Sequence, residues 1–310
     1  MPKHLILGAV SSTLFWDEIA PFCNSYSQAG FENCECIIFT GKLPEHTLNK
    51  IHDCGIKTIP IPERFNGQSI MNFRWELFRD YLSERVNDYD IVFAAGCRDV
   101  IFQSDVFKYY ENTGKFLGAA LEDAYLINAV LNKRWLVDRY GTAVWESMKD
   151  NRILCADTIW GTAQEFLSFT SAMTAHLNSD EYDKSSAVDQ AAENWLIYHE
   201  KFLHDVVRTS ANEDGYVMTI GITDPKDVHT DSAGNVLNGK GEIASVVHQY
   251  DRQPAILDIV VRKYGADMSA FSKLKLKHNC DKLGRIMRFM SRIHRRGLFR
   301  SVLEAVKRRI

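Results

Sequence analysis

The chain has 310 residues, 45% of them hydrophobic and 25% charged, with a net charge of −3. Such a composition excludes a disordered or fibrous chain, and the length allows one large domain or two small ones. The near-neutral sum hides an asymmetry: residues 271–310 carry 13 Lys and Arg against Asp281 and Glu304, so the body before them is acidic.

Seven cysteines, an odd number with no paired spacing, point to reduced thiols rather than a disulfide framework. Cys34 and Cys36 stand too close together for a zinc knuckle. The chain reads as cytoplasmic. Residues 1–10 are too short an apolar stretch for a signal peptide and lack a cleavage site. No apolar run reaches the length of about 18 residues that a spanning helix needs.

In chain order, "HLILGAV" (4–10) reads as a central strand and residues 14–29 as a helix. "ECIIFTG" (35–41) is a second strand, and residues 45–55 form a helix ending at Gly55. "IKTIPIP" (56–62) is an edge-like strand interrupted by prolines. Residues 69–86 form a helix whose apolar stripe, Ile70, Phe73, Leu77, Phe78 and Tyr81, also contains Arg74. Strands follow at 89–96 and 115–121, then one helix over 126–150. A strand at 152–162 leads into a helix over 163–177, and another helix spans 185–200. The last strands are 216–222 and 241–250. Alternating strands and helices predict an α/β fold with a mostly parallel central sheet flanked by helices.

In such sheets ligands bind beyond the carboxyl ends of the strands. "AAGCRDV" puts Arg98 and Asp99 at that end of a strong apolar strand. Asp99 offers a hard oxygen ligand for Mg²⁺ or Mn²⁺, or it caps the turn or pairs with Arg98. His248 also ends an apolar strand, followed by Asp251 and Arg252, which read as a local ion pair. Asp189 and Gln190 open a late helix, where the helix dipole favours an acid. "DTIWGT" (157–162) offers Asp157, Trp160 and Gly161 to a sugar, although a core Trp is the commoner explanation. Arg74 is either paired internally, with Asp90 or Asp99, or reaches a phosphate with its forked donors. No phosphate-loop, dinucleotide, nucleophile-elbow or His-Glu-X-X-His motif occurs.

The order of "CRDVIFQSDVF" (97–107), "DTIWGT", "VDQAAENWLIYH" (188–199) and "VVHQYDR" (246–252) resembles the GT-A class of nucleotide-sugar-dependent glycosyltransferases, over about residues 3–255. The resemblance implies a GT-A domain over residues 1–267. It implies that Asp99 matches the second Asp of an Asp-X-Asp metal motif, with Gly96, Cys97 and Arg98 beside the donor and Cys97 standing where the first Asp would be. His248 would complete the metal site. Asp189 and Gln190 would face the transferred sugar, as in retaining enzymes somewhat more than inverting ones. Ala9, Val10 and Ser11 would lie beside the nucleotide, and Arg74 or Arg98 would share the diphosphate charge. The partners implied are a nucleotide-sugar donor and a glycan or lipid-linked acceptor. The missing first Asp leaves open a second reading, a catalytically silent sugar-binding or scaffold subunit.

The basic tail, 268–310, places Leu283, Ile286, Met287, Met290 and Ile293 on one helical face and Arg285, Arg288, Arg292, Arg295 and Arg296 on the other. That pattern suits an anionic membrane surface, so a peripheral place on the inner face of a membrane is expected. Packing on the domain or on a second copy of the chain stays open. No nucleic-acid module accompanies the charge.

Overall fold

A computed structural model gives the fold of residues 3–179, 188–265 and 268. Strands buried on both faces read as largely continuous apolar runs, as do β1 (His4–Val10), β2 (Cys34–Thr40) and β4 (Ile91–Ala95), whereas β3 (Lys57–Pro60) is the more exposed edge strand. They lie parallel in the order β3-β2-β1-β4. The chain then makes the short β5 (Val100–Phe102) outside this sheet. It returns as β6 (Leu117–Tyr125), β7 (Arg152–Thr162) and β8 (Val207–Ser210), completing a seven-stranded sheet of order β3-β2-β1-β4-β7-β6-β8. Only β7 is reversed: it pairs antiparallel with β4 and β6, while β8 runs parallel to β6.

Beyond the main sheet lie β9 (Val217–Thr219), β10 (His229–Thr230), β11 (Val236–Leu237) and β12 (Val246–His248). The first and last of these join β5 in a small sheet of order β5-β12-β9. The helices are α1 (Trp16–Gln28), α2 (Glu45–Asp53), α3 (Ile70–Ser83), α4 (Val130–Tyr140), α5 (Thr142–Met148), α6 (Ala163–Leu177), α7 (Asp189–Asn194) and α8 (Pro254–Tyr264).

Successive side chains along a strand point to opposite faces. Leu5, Leu7, Phe39, Val92 and Ala94 therefore pack with Trp75 and Phe78 of α3 and Phe166 and Phe169 of α6. Ile6, Val10, Ile38 and Phe93 pack on the other face with Ile19 and Phe22 of α1 and with Phe102 of β5. The small sheet has its own core, where Ile101, Met218 and Val247 meet Ile256, Leu257 and Val260 of α8.

The expected elements differ from the structure in places. The single helix over 126–150 is a short turn followed by α4 and α5, because Gly141 adopts φ +82° between them. The helix expected over 185–200 is α-helical from Asp189 to Asn194 and then widens to a π turn, Trp195–His199. Residues 185–187 lie outside the described residues. The strand expected over 115–121 continues to Tyr125. The strands expected over 216–222 and 241–250 shrink to β9 and β12. Strands β5, β8, β10 and β11 are too short for an alternating pattern to announce them. Apart from Met268, buried against the α1 side, the expected tail lies outside the described residues.

Candidate active site

The carboxyl ends of β1, β4 and β6 face the same way, and this end gathers the polar side chains. Asp99 lies in the turn between β4 and β5 and is buried. His248 ends β12, which pairs antiparallel with β5 so that His248 stands opposite Val100. Gln249 takes a left-handed backbone at φ +60°, and its N–H donates to the carbonyl of Asp99 at 2.8 Å. One backbone bond thus ties the two segments together.

The third member comes from β7. Between β6 and β7 the register slips: Ala119 pairs with Ile159, but Leu121 pairs with Leu154. The extra β7 residues form a bulge, which re-aims side chains, and Asp157 lies within it. The N–H of Gly96 donates to the carbonyl of Asp157 at 3.0 Å. A Cβ at Gly96 would meet Asp157 Cγ at 3.1 Å, so the glycine makes room for the carboxylate. His248 Nε2 stands 3.7 Å from Asp99 Oδ1 and 3.8 Å from Asp157 Oδ2.

His248 is fully buried, and its Nε2 has no hydrogen-bond partner while facing both carboxylates. On the other side Nδ1 lies 3.4 Å from Cys155 Sγ and 3.5 Å from Thr219 Oγ1. Two carboxylates and one imidazole, their ligand atoms all within 4.8 Å of one another, fit a divalent cation. The nitrogen at the third corner has no hydrogen-bond partner, which leaves it available as a ligand.

Cys97 takes no part in this triangle. Its buried Sγ packs toward β1, where a Cβ on Gly8 would meet it at 2.3 Å. Burial pushes its thiol up to about 12. Arg98 keeps 48% of its side chain exposed while donating to Asp99 Oδ2 at 2.9 Å, and it lies 3.9 Å from Asp251 Oδ2. Burial works against an ionised Asp99, but Arg98, His248 and Arg252 together hold its carboxyl below the usual range.

Arg74 is paired internally, but not with Asp90 or Asp99. It donates to Asp157, and at 2.6 Å to Asp189 Oδ2 and 2.9 Å to the carbonyl of Ala156. Asp90 instead accepts the Lys3 N–H at 2.9 Å. Two carboxylates share the single guanidinium, and burial raises the carboxyl of Asp189 to about 6 against the pull of Arg74. Gln190 Nε2 lies 3.1 Å from both Glu122 Oε1 and Asn132 Oδ1. Ala9 and Val10 end β1, paired with Phe39 and Thr40 of β2, and Ser11 follows the strand; the Val10 carbonyl accepts from Gly41 N–H at 2.8 Å.

Asp157 joins the group, whereas Trp160 and Gly161 do not. Because β7 runs antiparallel to β4, residues beyond Asp157 travel toward the other end of the sheet. Gly161 pairs with Val92, and Trp160 is buried, stacked 5.6 Å from Phe93.

Three more buried polar residues stand here: Glu122, which the sequence reading missed, and Glu193 and Asn194, which read only as the polar side of the late helix. Glu122 ends an apolar run much as Asp99 does, and that signal was available. Burial raises its carboxyl despite His248 and Arg252. Asn194 fills the gap the bulge leaves: it bonds Leu154 N–H at 3.0 Å and the Leu154 carbonyl at 2.9 Å. Glu193 is fully buried, neither carboxyl oxygen has a hydrogen-bond partner, and burial pushes its carboxyl well up.

No family model and no curated protein matches the chain. Among solved structures, the chain is similar to an active-site mutant of LgtC, at 13% identity over 79% of this chain and 86% of that one, with a TM-score of 0.50. A second similar structure is the galactosyltransferase LgtC in complex with donor and acceptor sugar analogues, at 15% identity, the same coverages and a TM-score of 0.49. At such identity the likeness is one of fold: the mixed, mostly parallel sheet flanked by helices is the GT-A architecture.

Proposed function

We propose that this chain is a glycosyltransferase that moves a sugar from a nucleotide-diphosphate donor to a glycan or lipid-linked acceptor, in surface polysaccharide or glycoconjugate synthesis. The observation that carries the reading is the convergence of Asp99, Asp157 and His248, next to the Arg74–Asp189 pair and Gln190.

The leaving diphosphate gains negative charge as the glycosidic bond breaks, so the site must present positive charge to it. A divalent cation, Mn²⁺ or Mg²⁺, held by Asp99, Asp157 and His248 would supply that charge as a Lewis acid. Arg98, half exposed at the same place, adds guanidinium donors for the phosphate oxygens. Arg74 is a positioning residue that holds the Asp189 carboxylate in place. Asp189 then faces the sugar carbon, which becomes oxocarbenium-like, while Glu122 and Asn132 orient Gln190. A carboxylate neutralised by Arg74 suits holding the sugar better than deprotonating an acceptor, and so favours the retaining outcome. Ala9, Val10 and Ser11 border the nucleotide.

The alternative, a silent sugar-binding or scaffold subunit, was motivated by the missing Asp at Cys97. Asp157 offers a carboxylate in its stead. A thermal-shift panel of UDP-, GDP-, dTDP- and CMP-sugars with Mn²⁺, followed by donor-hydrolysis assays, tests the reading. The expected outcome is stabilisation by one nucleotide class and slow hydrolysis of that donor, lost in Asp189→Asn. Stabilisation without turnover of any donor would support the silent subunit.

A further inference from the structure

Among the described residues, large apolar side chains stand exposed together in one place: Tyr125 (50%), Ile127 (47%), Val130 (82%) and Leu131 (55%). They crown the exit of β6 and the first turn of α4. Scattered apolar side chains on a surface need no explanation, but a contiguous group does.

The crest is held firmly rather than left loose. Leu126 within it is fully buried, and its N–H donates to the Asn151 carbonyl at 2.9 Å. Ile127 N–H donates to the Lys149 carbonyl at 2.8 Å. Leu136 anchors α4 in a small core with Trp145, Met148 and Ile153. The fold therefore spends buried anchors to keep apolar side chains pointing outward.

Charge identifies the occupant. Residues 124–137 contain no carboxylate, between Asp123, which pairs with Arg152 at 2.9 Å, and Asp138 one turn beyond Arg134, and Lys133 and Arg134 stand exposed beside the crest. Apolar side chains flanked by cations are the make-up of a segment that settles into the headgroup region of an anionic bilayer. Asn132 on the buried side of that segment and Glu122, two residues before it, are the two partners of Gln190. The crest thus forms the rim of the candidate active site.

We propose that the crest at residues 125–131 docks onto an anionic phospholipid surface and turns the mouth of the site toward the headgroups. This goes beyond the transferase reading, and its evidence is the exposed side chains and their charge surroundings. It also rests on different residues from the basic tail.

Hydrogen–deuterium exchange on the full chain tests it, with vesicles of phosphatidylcholine containing about one third phosphatidylglycerol. The first-turn amides of α4 have no helical partner a turn earlier, so they report directly on burial. Exchange over residues 125–134 is expected to slow by roughly tenfold with vesicles. The double substitution Val130→Asp and Leu131→Asp changes exposed positions, and circular dichroism checks that it folds. It should abolish that slowing, whereas Ile222→Asp, at another exposed apolar residue, should not. Unchanged exchange over 125–134 would overturn the proposal, as would the same slowing in the double variant. Slowing that instead follows protein concentration without vesicles would assign the crest to a second copy of the chain and overturn it as well.

Discussion

Gly96 is a glycine because Asp157 needs its space, and Gly8 because Cys97 does: an added Cβ would meet Asp157 Cγ at 3.1 Å in the first case and Cys97 Sγ at 2.3 Å in the second. The two contacts explain how a cysteine can stand at a position where the motif order implies a carboxylate. In the proposed reading Asp157 provides the acid from across the sheet, and Cys97 is a packing residue. If so, Asp157→Asn and Asp99→Asn should each weaken Mn²⁺ binding by roughly tenfold or more, while Cys97→Ser leaves it unchanged. Titration by calorimetry separates these outcomes, and equal loss in Cys97→Ser would contradict the assignment. The core role of Trp160 has its own check. A Cβ at Gly118 would lie 2.2 Å from Trp160 Cε2, so Gly118→Ala should destabilise the fold by about 1–3 kcal/mol in urea unfolding, through overpacking. Asp99, His248, Asp189 and Gln190 were legible in the sequence because each stands at an element's end, where polar side chains interrupt apolar runs. Asp157 was visible, but its role was not, because that role depends on which strand lies beside β4.

At the level of elements, periodicity marked the long strands and helices, since burial of one face or both leaves a period of 2 or 3.6 in the sequence. It could not show the slip between β6 and β7 or the break at Gly141, which depend on pairing and on backbone torsion. Two contacts between elements carry pH predictions. Glu35 of β2 meets Lys57 of β3, Lys3 before β1 and Tyr89 before β4. Burial pushes its carboxyl up, but these donors outweigh it and hold it at about 2, below its ordinary 4.5. The folded state therefore keeps Glu35 ionised where the unfolded chain takes up a proton. Its contribution is complete above 4.5 and is lost as pH falls toward 2. In Glu35→Gln, unfolding midpoints measured down that range should decline less than in the unaltered chain. His176 of α6 behaves likewise for a different reason. Arg139 Nε donates to its Nε2 at 3.2 Å, which requires a neutral ring, and burial and Arg139 lower it from 6.5 to about 4. Its contribution is complete above 6.5 and is lost as pH falls to about 4, so His176→Gln should flatten the melting-temperature profile across that window.

For the molecule as a whole, the candidate metal site joins two separately cored sheets, with Asp157 on the main sheet, His248 on the small one, and Asp99 in the turn between them. A cation there would stabilise the native state by about 2.7 kcal/mol at a hundredfold excess over its dissociation constant. Adding Mn²⁺ should raise the melting temperature in a concentration-dependent way, and a chelator should reverse it. Absence of any shift at millimolar Mn²⁺ would remove the cation from the site. The sequence by itself determined the alternation of strands and helices, the α/β class and the polar strand ends, because these follow from local periodicity and from apolar runs that must be buried. The tertiary structure alone decided that β7 is reversed, that its bulge turns Asp157 toward His248, and that Trp160 is drawn into the core. It also decided that Arg74 is shared by Asp157 and Asp189. Those outcomes depend on which strands become neighbours and in what register, and nothing in the spacing of residues along the chain encodes that.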